Sequence, residues 1–102
     1  MTGNVKALLR DYIQTSDNMG GFNKSVQDIC YIYGDHITAV TKDDVPYADN
    51  NMNIGSIFIT EYLDFIDKGQ ELIINGFRYR IKILENINSN NKLLKIYLEN
   101  IL

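Results

Sequence analysis

The sequence has few of the residues on which covalent cross-links, metal sites and many active sites depend. Its 102 residues include one cysteine, one proline and one histidine, and they include no tryptophan. Cys30 alone cannot form an intramolecular disulfide or a cysteine-based zinc site. Any Ser-His or Cys-His arrangement would have to use His36, and no nucleophile motif accompanies it. We therefore expect no catalysis, no metal and no cofactor.

Long apolar runs and an excess of positive charge are also missing. No apolar run approaches the roughly 18 residues of a membrane-spanning helix, and the first residues lack the pattern of a secretory signal. We expect no membrane partner. The formal net charge is −3 and the sequence pI is about 4.9, which is the wrong sign for tight binding to the phosphates of nucleic acid.

The composition predicts one globular domain over residues 1–102. Apolar residues make up 45% of the chain and aromatic residues 11%, which argues against intrinsic disorder. A chain of about 100 residues buries a single core, so a second independent domain has no room.

Charge is unevenly distributed along this domain. Residues 35–71 carry two basic residues against eight acidic ones, whereas residues 72–102 carry five basic residues against two acidic ones. Such polarity can complement copies of the same chain or a neighbouring subunit, or it can belong to a solvated surface without a partner. The residues alone leave both interpretations open.

Short runs rich in β-branched and aromatic residues, separated by turn-forming residues, indicate strands. We predict strands at 5–14, 24–33, 36–42, 56–60, 71–74, 77–84 and 93–101, with a break at Gly34-Asp35 and a single helical turn over 61–69 closed by Gly69. The pattern predicts an all-β fold: a small closed or partly open β-barrel of six to seven short antiparallel strands with one long mid-chain loop. Closure hides strand edges that otherwise invite aggregation.

The clearest local signal is Asn75-Gly76 between two β-rich runs, which specifies a two-residue type I′ hairpin. In the strand after this turn, alternation places two sets of side chains on opposite faces. The core-facing set is Phe77, Tyr79, Ile81 and Ile83, and the outward set is Arg78, Arg80 and Lys82. In the last strand, Leu94, Ile96 and Leu98 share one face.

The basic face formed by Arg78, Arg80 and Lys82 is a candidate docking surface for a protein partner. OB-type barrels also use basic residues interleaved with aromatic ones to bind single-stranded nucleic acid. Here the aromatic residues Phe77 and Tyr79 have the opposite parity, so stacking and charge fall on different faces. Binding of single-stranded nucleic acid through the basic face remains the alternative interpretation.

The long loop is predicted at residues 43–55. It contains the only proline, three aspartates, three asparagines and no basic residue. Loops of this length in a compact domain are usually functional or disordered, although an ordinary solvent-exposed loop is the simpler interpretation. The candidate functional residues are Asp43, Asp44, Val45, Pro46, Tyr47, Asp49, Asn50, Asn51 and Met52.

A series of motifs extends over most of the chain. It comprises DNMGGF at 17–22, IYGDHI at 32–37, IFITEYLD at 57–64, IDKGQ at 66–70 and INGFRYRI at 74–81. Taken together, these motifs resemble the head completion or head-tail joining proteins of tailed bacteriophages, the stopper or head-closure class.

This resemblance implies a structural virion protein, assembled in the cytoplasm of the bacterial host. Copies of a β-barrel subunit would form a ring at the head-tail interface, below a portal or adaptor protein and above a tail completion or tail tube protein. The ring would close the portal channel after DNA packaging and provide the docking surface for the tail. Packaged double-stranded DNA would pass through without tight binding, because a gating loop at 43–52 would repel it with acidic residues.

Overall fold

Six antiparallel strands make up most of the computed structural model, which describes residues 3–16, 22–38 and 54–101, with only the backbone described at 13–16 and 22–24. The strands are β1 (Val5–Ser16), β2 (Phe22–Ile37), β3 (Ile54–Glu61), β4 (Glu71–Ile74), β5 (Phe77–Asn86) and β6 (Leu93–Asn100). A 3-10 turn at Ile87–Ser89 precedes β6. In these ranges, no helix has both the length and the apolar character needed to cross a membrane.

The strands close into a barrel in the order β1-β2-β3-β6-β5-β4, and β4 pairs back onto β1. The predicted all-β fold and small antiparallel barrel are confirmed. The closing seam pairs residues 7–10 of β1 with residues 71–74 of β4. Closure gives each strand of the barrel body two neighbours, which is how small β-proteins remove exposed edges.

Apolar side chains from all six strands fill the barrel. The core consists of Ala7, Leu9, Ile32, Phe58, Ile66, Leu72, Ile74, Ile81, Leu94, Ile96 and Leu98. Full burial of an isoleucine or leucine side chain stabilises the fold by about 1.5–3 kcal/mol. The predicted shared face of Leu94, Ile96 and Leu98 is confirmed, since all three lie in this core.

The predicted hairpin is also confirmed. Asn75 and Gly76 connect β4 to β5, and their φ angles are 52° and 83°. A type I′ turn needs positive φ at both central residues, which asparagine and glycine adopt at low cost. The second strand of the hairpin extends to Asn86, two residues beyond the predicted end at residue 84.

Two of the four core-facing residues predicted in β5 do not join the barrel core. Phe77 has the expected parity, but it lies beside the turn and is 67% exposed. A register shift between Ile81 and Ile83 reverses the alternation, so Leu84 packs against the main core instead. Ile83 is buried in a second cluster with Tyr97. Simple alternation was wrong here because it contains no information about bulges.

The predicted strand break at Gly34-Asp35 is wrong, because β2 runs without interruption to Ile37. A Cβ atom at Gly34 would lie 2.1 Å from the backbone oxygen of Ile59. The glycine therefore permits a close approach of β3 and does not form a turn. Of the separate strand predicted at 36–42, His36 and Ile37 belong to the end of β2, and residues 39–42 lie outside the described residues.

The predicted helical turn over 61–69 is wrong as well. Glu61 ends β3, and two tight turns follow, at residues 64–65 and 68–69. The buried amide of Gln70 holds this segment: its Oε1 accepts from the backbone N–H of Asp67 at 2.8 Å, and its Nε2 donates to the carbonyl of Phe65 at 3.2 Å. A nine-residue segment is too short for a stable isolated helix, so these bonds decide its conformation.

The predicted loop at 43–55 is shorter at its end than the sequence indicated. Ile54 and Gly55 belong to β3. Residues 43–53 lie outside the described residues.

Candidate interaction surfaces

The basic face of β5 is held by contacts within the chain. Arg78, Arg80 and Lys82 alternate with side chains that pack on the barrel core. Arg78 Nη2 lies 2.7 Å from a carboxylate oxygen of Glu71, and Lys82 Nζ lies 3.5 Å from one of Glu99. Arg80 Nη2 donates to the phenol oxygen of Tyr12 at 3.1 Å. Each cation of the face therefore already has a partner.

Glu71 is the buried centre of this arrangement. It is fully buried although it begins a strand, and its register partners are Arg10 on β1 and Arg80 on β5. Its carboxylate accepts hydrogen bonds from the hydroxyl of Tyr12 and from Arg78, both at 2.7 Å. We refer to Arg10, Tyr12, Glu71, Arg78 and Arg80 as the Glu71 network.

Electrostatics keep Glu71 ionised. Burial alone raises the pKa of the Glu71 carboxyl, but hydrogen bonds from Tyr12 and Arg78, with the charges of Arg78 and Arg10, outweigh burial and hold the pKa below its ordinary value. At neutral pH, the negative charge of Glu71 offsets the positive charges of the neighbouring arginines. Arg10 has a further partner, since its Nε lies 2.9 Å from a carboxylate oxygen of Asp28.

The Glu71 network orients guanidinium groups and lowers the free positive charge of the basic face. Counterion release on phosphate binding depends on uncompensated cations, so this face is better suited to contact a folded protein surface than to follow a nucleic-acid backbone. Sequence reasoning missed Glu71. The available signal was a lone glutamate opposite Arg80 in the register that the Asn75-Gly76 turn imposes.

A second surface lies on the opposite side of the barrel, along β2. Ile29, Tyr31 and Tyr33 expose 44%, 56% and 55% of their surface. Tyr31 and Tyr33 border a groove of about 630 Å³, whose other wall includes Glu61, Leu63 and Phe65. We call it the β2 groove. Sequence analysis predicted the strand but did not identify these side chains as a surface, because apolar residues occur at both parities in β2.

Among the described residues, one edge of β2 has no strand partner along this groove, and we call it the open edge of β2. Strand β3 pairs with β2 only from Gly34 to Ile37. The carbonyl of Tyr33 accepts a hydrogen bond from Thr60 Oγ1 at 2.8 Å. For residues 25–33, no strand among the described residues pairs with the edge of β2 that faces β3.

His36 sits apart from both surfaces. Its ring lies edge-on to that of Tyr79, with 5.4 Å between centroids, and 6.5 Å from that of Phe58. Burial lowers the pKa of His36, which favours the neutral imidazole. Within residues 3–16, 22–38 and 54–101, no group of three or more His, Cys, Asp or Glu side chains could hold a metal ion. Cys30 is a free thiol that packs against the barrel core.

The structure does not test the predicted gating loop, because its candidate residues, Asp43 to Met52, lie outside the described residues. Of the two surfaces predicted from the sequence, the basic face is the one that lies within the described residues. It is separated from the β2 groove by half the circumference of the barrel, since β5 is three strands away from β2 in the closed order.

The fold is shared with solved structures of low sequence identity. The solution structure of protein SF1141 from Shigella flexneri 2a aligns with a TM-score of 0.78 and 15% identity, covering 97% of this chain and 95% of that one. A chain from the virion of the native gene transfer agent particle aligns with a TM-score of 0.65 and 12% identity, covering 96% of this chain and 94% of that one. These likenesses establish a common fold over nearly the whole length. No protein-family model and no curated protein matches the sequence.

Proposed function

We propose that this chain is a structural subunit of a tailed-phage-like virion, where its copies form a ring at the head-tail interface. The ring closes the portal channel after DNA packaging and provides the docking surface for the tail. The observation that carries the proposal is the likeness, over nearly the full length of both chains, to a chain of the gene transfer agent virion. The motifs at 17–22 and 74–81, which resemble head completion proteins, independently support the same class of particle.

The proposed partners follow from this position. Copies of the chain meet side by side, a portal or adaptor protein lies above the ring, and a tail completion or tail tube protein lies below it. The basic face supplies a charged surface for one of these contacts, and its guanidinium groups are already oriented by Glu71. Preorganised groups lose less side-chain entropy on binding. In this proposal the subunit has no catalytic role.

Packaged double-stranded DNA passes through the ring without tight binding. The net charge of −3 supports this view, as does the pairing of Arg78 with Glu71 and of Lys82 with Glu99. The acidic segment at 43–52 is proposed to project into the channel and to gate it. The competing function, binding of single-stranded nucleic acid, requires the basic face to be free, and these contacts disfavour it.

Two measurements on the purified full chain separate the proposals. Sedimentation velocity over a concentration series measures assembly, and fluorescence anisotropy with labelled single- and double-stranded DNA measures binding as salt is varied. We expect a concentration-dependent closed oligomer and no DNA binding at micromolar protein. Micromolar or tighter DNA affinity with a steep salt dependence, lost in Arg78→Gln, would instead support the nucleic-acid function.

A further inference from the structure

Along residues 25–33, the open edge of β2 pairs with no strand in the described part of the chain, so its backbone groups can pair with an added strand. The Tyr33 carbonyl faces β3, because Thr60 Oγ1 donates to it. Backbone N–H and C=O groups two residues apart in a strand point the same way. Those of Tyr31 therefore point to the same side, where β3 has already ended its pairing with β2. A strand edge of this kind is a template for an added strand.

The walls of the β2 groove define what such a strand would carry. Tyr33, Leu63 and Phe65 give it an apolar lining, and Phe65 is 46% exposed. Glu61 lies in the groove wall and is exposed, and the exposed Asp64 follows it closely in the chain. Lys6 does not line the groove, and its Nζ lies 4.0 Å from the centroid of the Tyr31 ring. The groove therefore combines apolar walls with one carboxylate, Glu61, that forms no ion pair with another described residue.

We propose that the β2 groove binds an extended segment of another protein as an added strand, with a basic residue opposite Glu61 and apolar side chains against Tyr33, Leu63 and Phe65. Main-chain hydrogen bonds to β2 provide affinity, and the alternating pockets and the carboxylate provide specificity. Charge complementarity selects a basic occupant. The inference does not depend on the proposed function, because it needs only the open edge and the groove.

The test uses the full chain labelled with ¹⁵N and a defined peptide probe. The probe is an acetylated and amidated hexapeptide in which valine and lysine alternate. One control peptide replaces lysine with glutamate, and a second carries N-methyl groups on alternate backbone amides, which prevents strand pairing. Titrations followed by amide chemical shifts report affinity and location together. Glu61→Lys is the test variant. Glu99→Lys on β6 makes the same charge change outside the groove, at a partly exposed residue.

We expect saturable shifts at Tyr31, Ile32 and Tyr33 with the lysine peptide, and none with the N-methylated peptide. Glu61→Lys should weaken binding of the lysine peptide and strengthen binding of the glutamate peptide by about fivefold each, the size of one exposed ion pair. Glu99→Lys should change neither affinity. The inference is overturned by binding that tolerates N-methylation, by shifts located on β5, or by no binding at millimolar peptide. Concentration-dependent broadening of the same amides without peptide would assign the edge to a second copy instead.

Discussion

The phenol oxygen of Tyr12 lies 2.7 Å from a carboxylate oxygen of Glu71, a contact between side chains 59 residues apart in the sequence. It joins β1 to β4 next to the seam where the barrel closes, because Glu71 pairs with Arg10 at the last register position of that seam. The Glu71 network therefore links barrel closure to the orientation of the basic face.

Replacing Glu71 with glutamine should destabilise the protein by about 1–3 kcal/mol, the cost of losing a charge-assisted bond and leaving a buried polar group poorly paired. Urea unfolding at pH 7 measures the free energy of unfolding, with the same m-value used for the wild type and the variants. Glu99→Gln is the matched control, because its pair with Lys82 is longer and both side chains are partly exposed, so its effect should stay below about 1 kcal/mol. Equal effects of the two variants would contradict a special role for Glu71.

The stabilisation by Glu71 should disappear in acid. Because the folded-state pKa of Glu71 lies below the ordinary value of 4.5, the unfolded chain takes up the proton first. The contribution is present above pH 4.5 and is lost as the pH falls through the folded-state pKa. Unfolding free energies of the wild type and Glu71→Gln should therefore converge below pH 4.5. A difference that is independent of pH would exclude this linkage.

His36 should make a second contribution to the pH dependence. Burial places its folded-state pKa below 6.5, so the unfolded state binds protons more readily and the stability falls as the pH decreases from 6.5 through the folded-state pKa. The ring protons of His36 in an NMR titration give the pKa directly. His36→Gln removes the titrating group and should flatten the stability profile in this window. A measured pKa at or above 6.5 would contradict the lowering of the His36 pKa by burial.

Gly34→Ala should damage the fold more than alanine at another glycine. The added Cβ would meet the Ile59 carbonyl oxygen at 2.1 Å, so we expect a loss of about 3 kcal/mol or more. Gly69 has a φ of +88° and no atom near the position of its Cβ, so Gly69→Ala should cost about 1–2 kcal/mol from backbone strain alone. Thermal unfolding of both variants makes the comparison, and the reverse order would contradict the close packing of β2 on β3.

The sequence allowed prediction of those features that depend on local pattern. The Asn75-Gly76 hairpin and the shared face of Leu94, Ile96 and Leu98 follow from turn chemistry and alternation, and both are present. Long-range contacts decided the rest. Gly34 is needed for the approach of a strand more than twenty residues away, and Gln70 fixes the turns before it through bonds to Asp67 and Phe65.

The candidate sites show the same difference between features set by local sequence pattern and features set by long-range contacts. The alternation of side chains in β5 predicted the basic face. It could not predict the carboxylate of Glu71, which neutralises much of that face, because Glu71 lies on the neighbouring strand β4 at the seam that closes the barrel. The β2 groove arises where β3 stops pairing with β2 at Gly34. Where one strand ends its pairing with another is a property of the closed sheet, so no local pattern in residues 22–37 signals it.

The proposed place in the virion is tested most directly by electron microscopy of particles produced with and without this chain. If the chain closes the head and docks the tail, cells lacking it should yield heads that have lost their DNA, together with free tails, and supplying the wild-type chain should restore complete particles. Complete, DNA-filled and tailed particles in the absence of the chain would contradict the proposal.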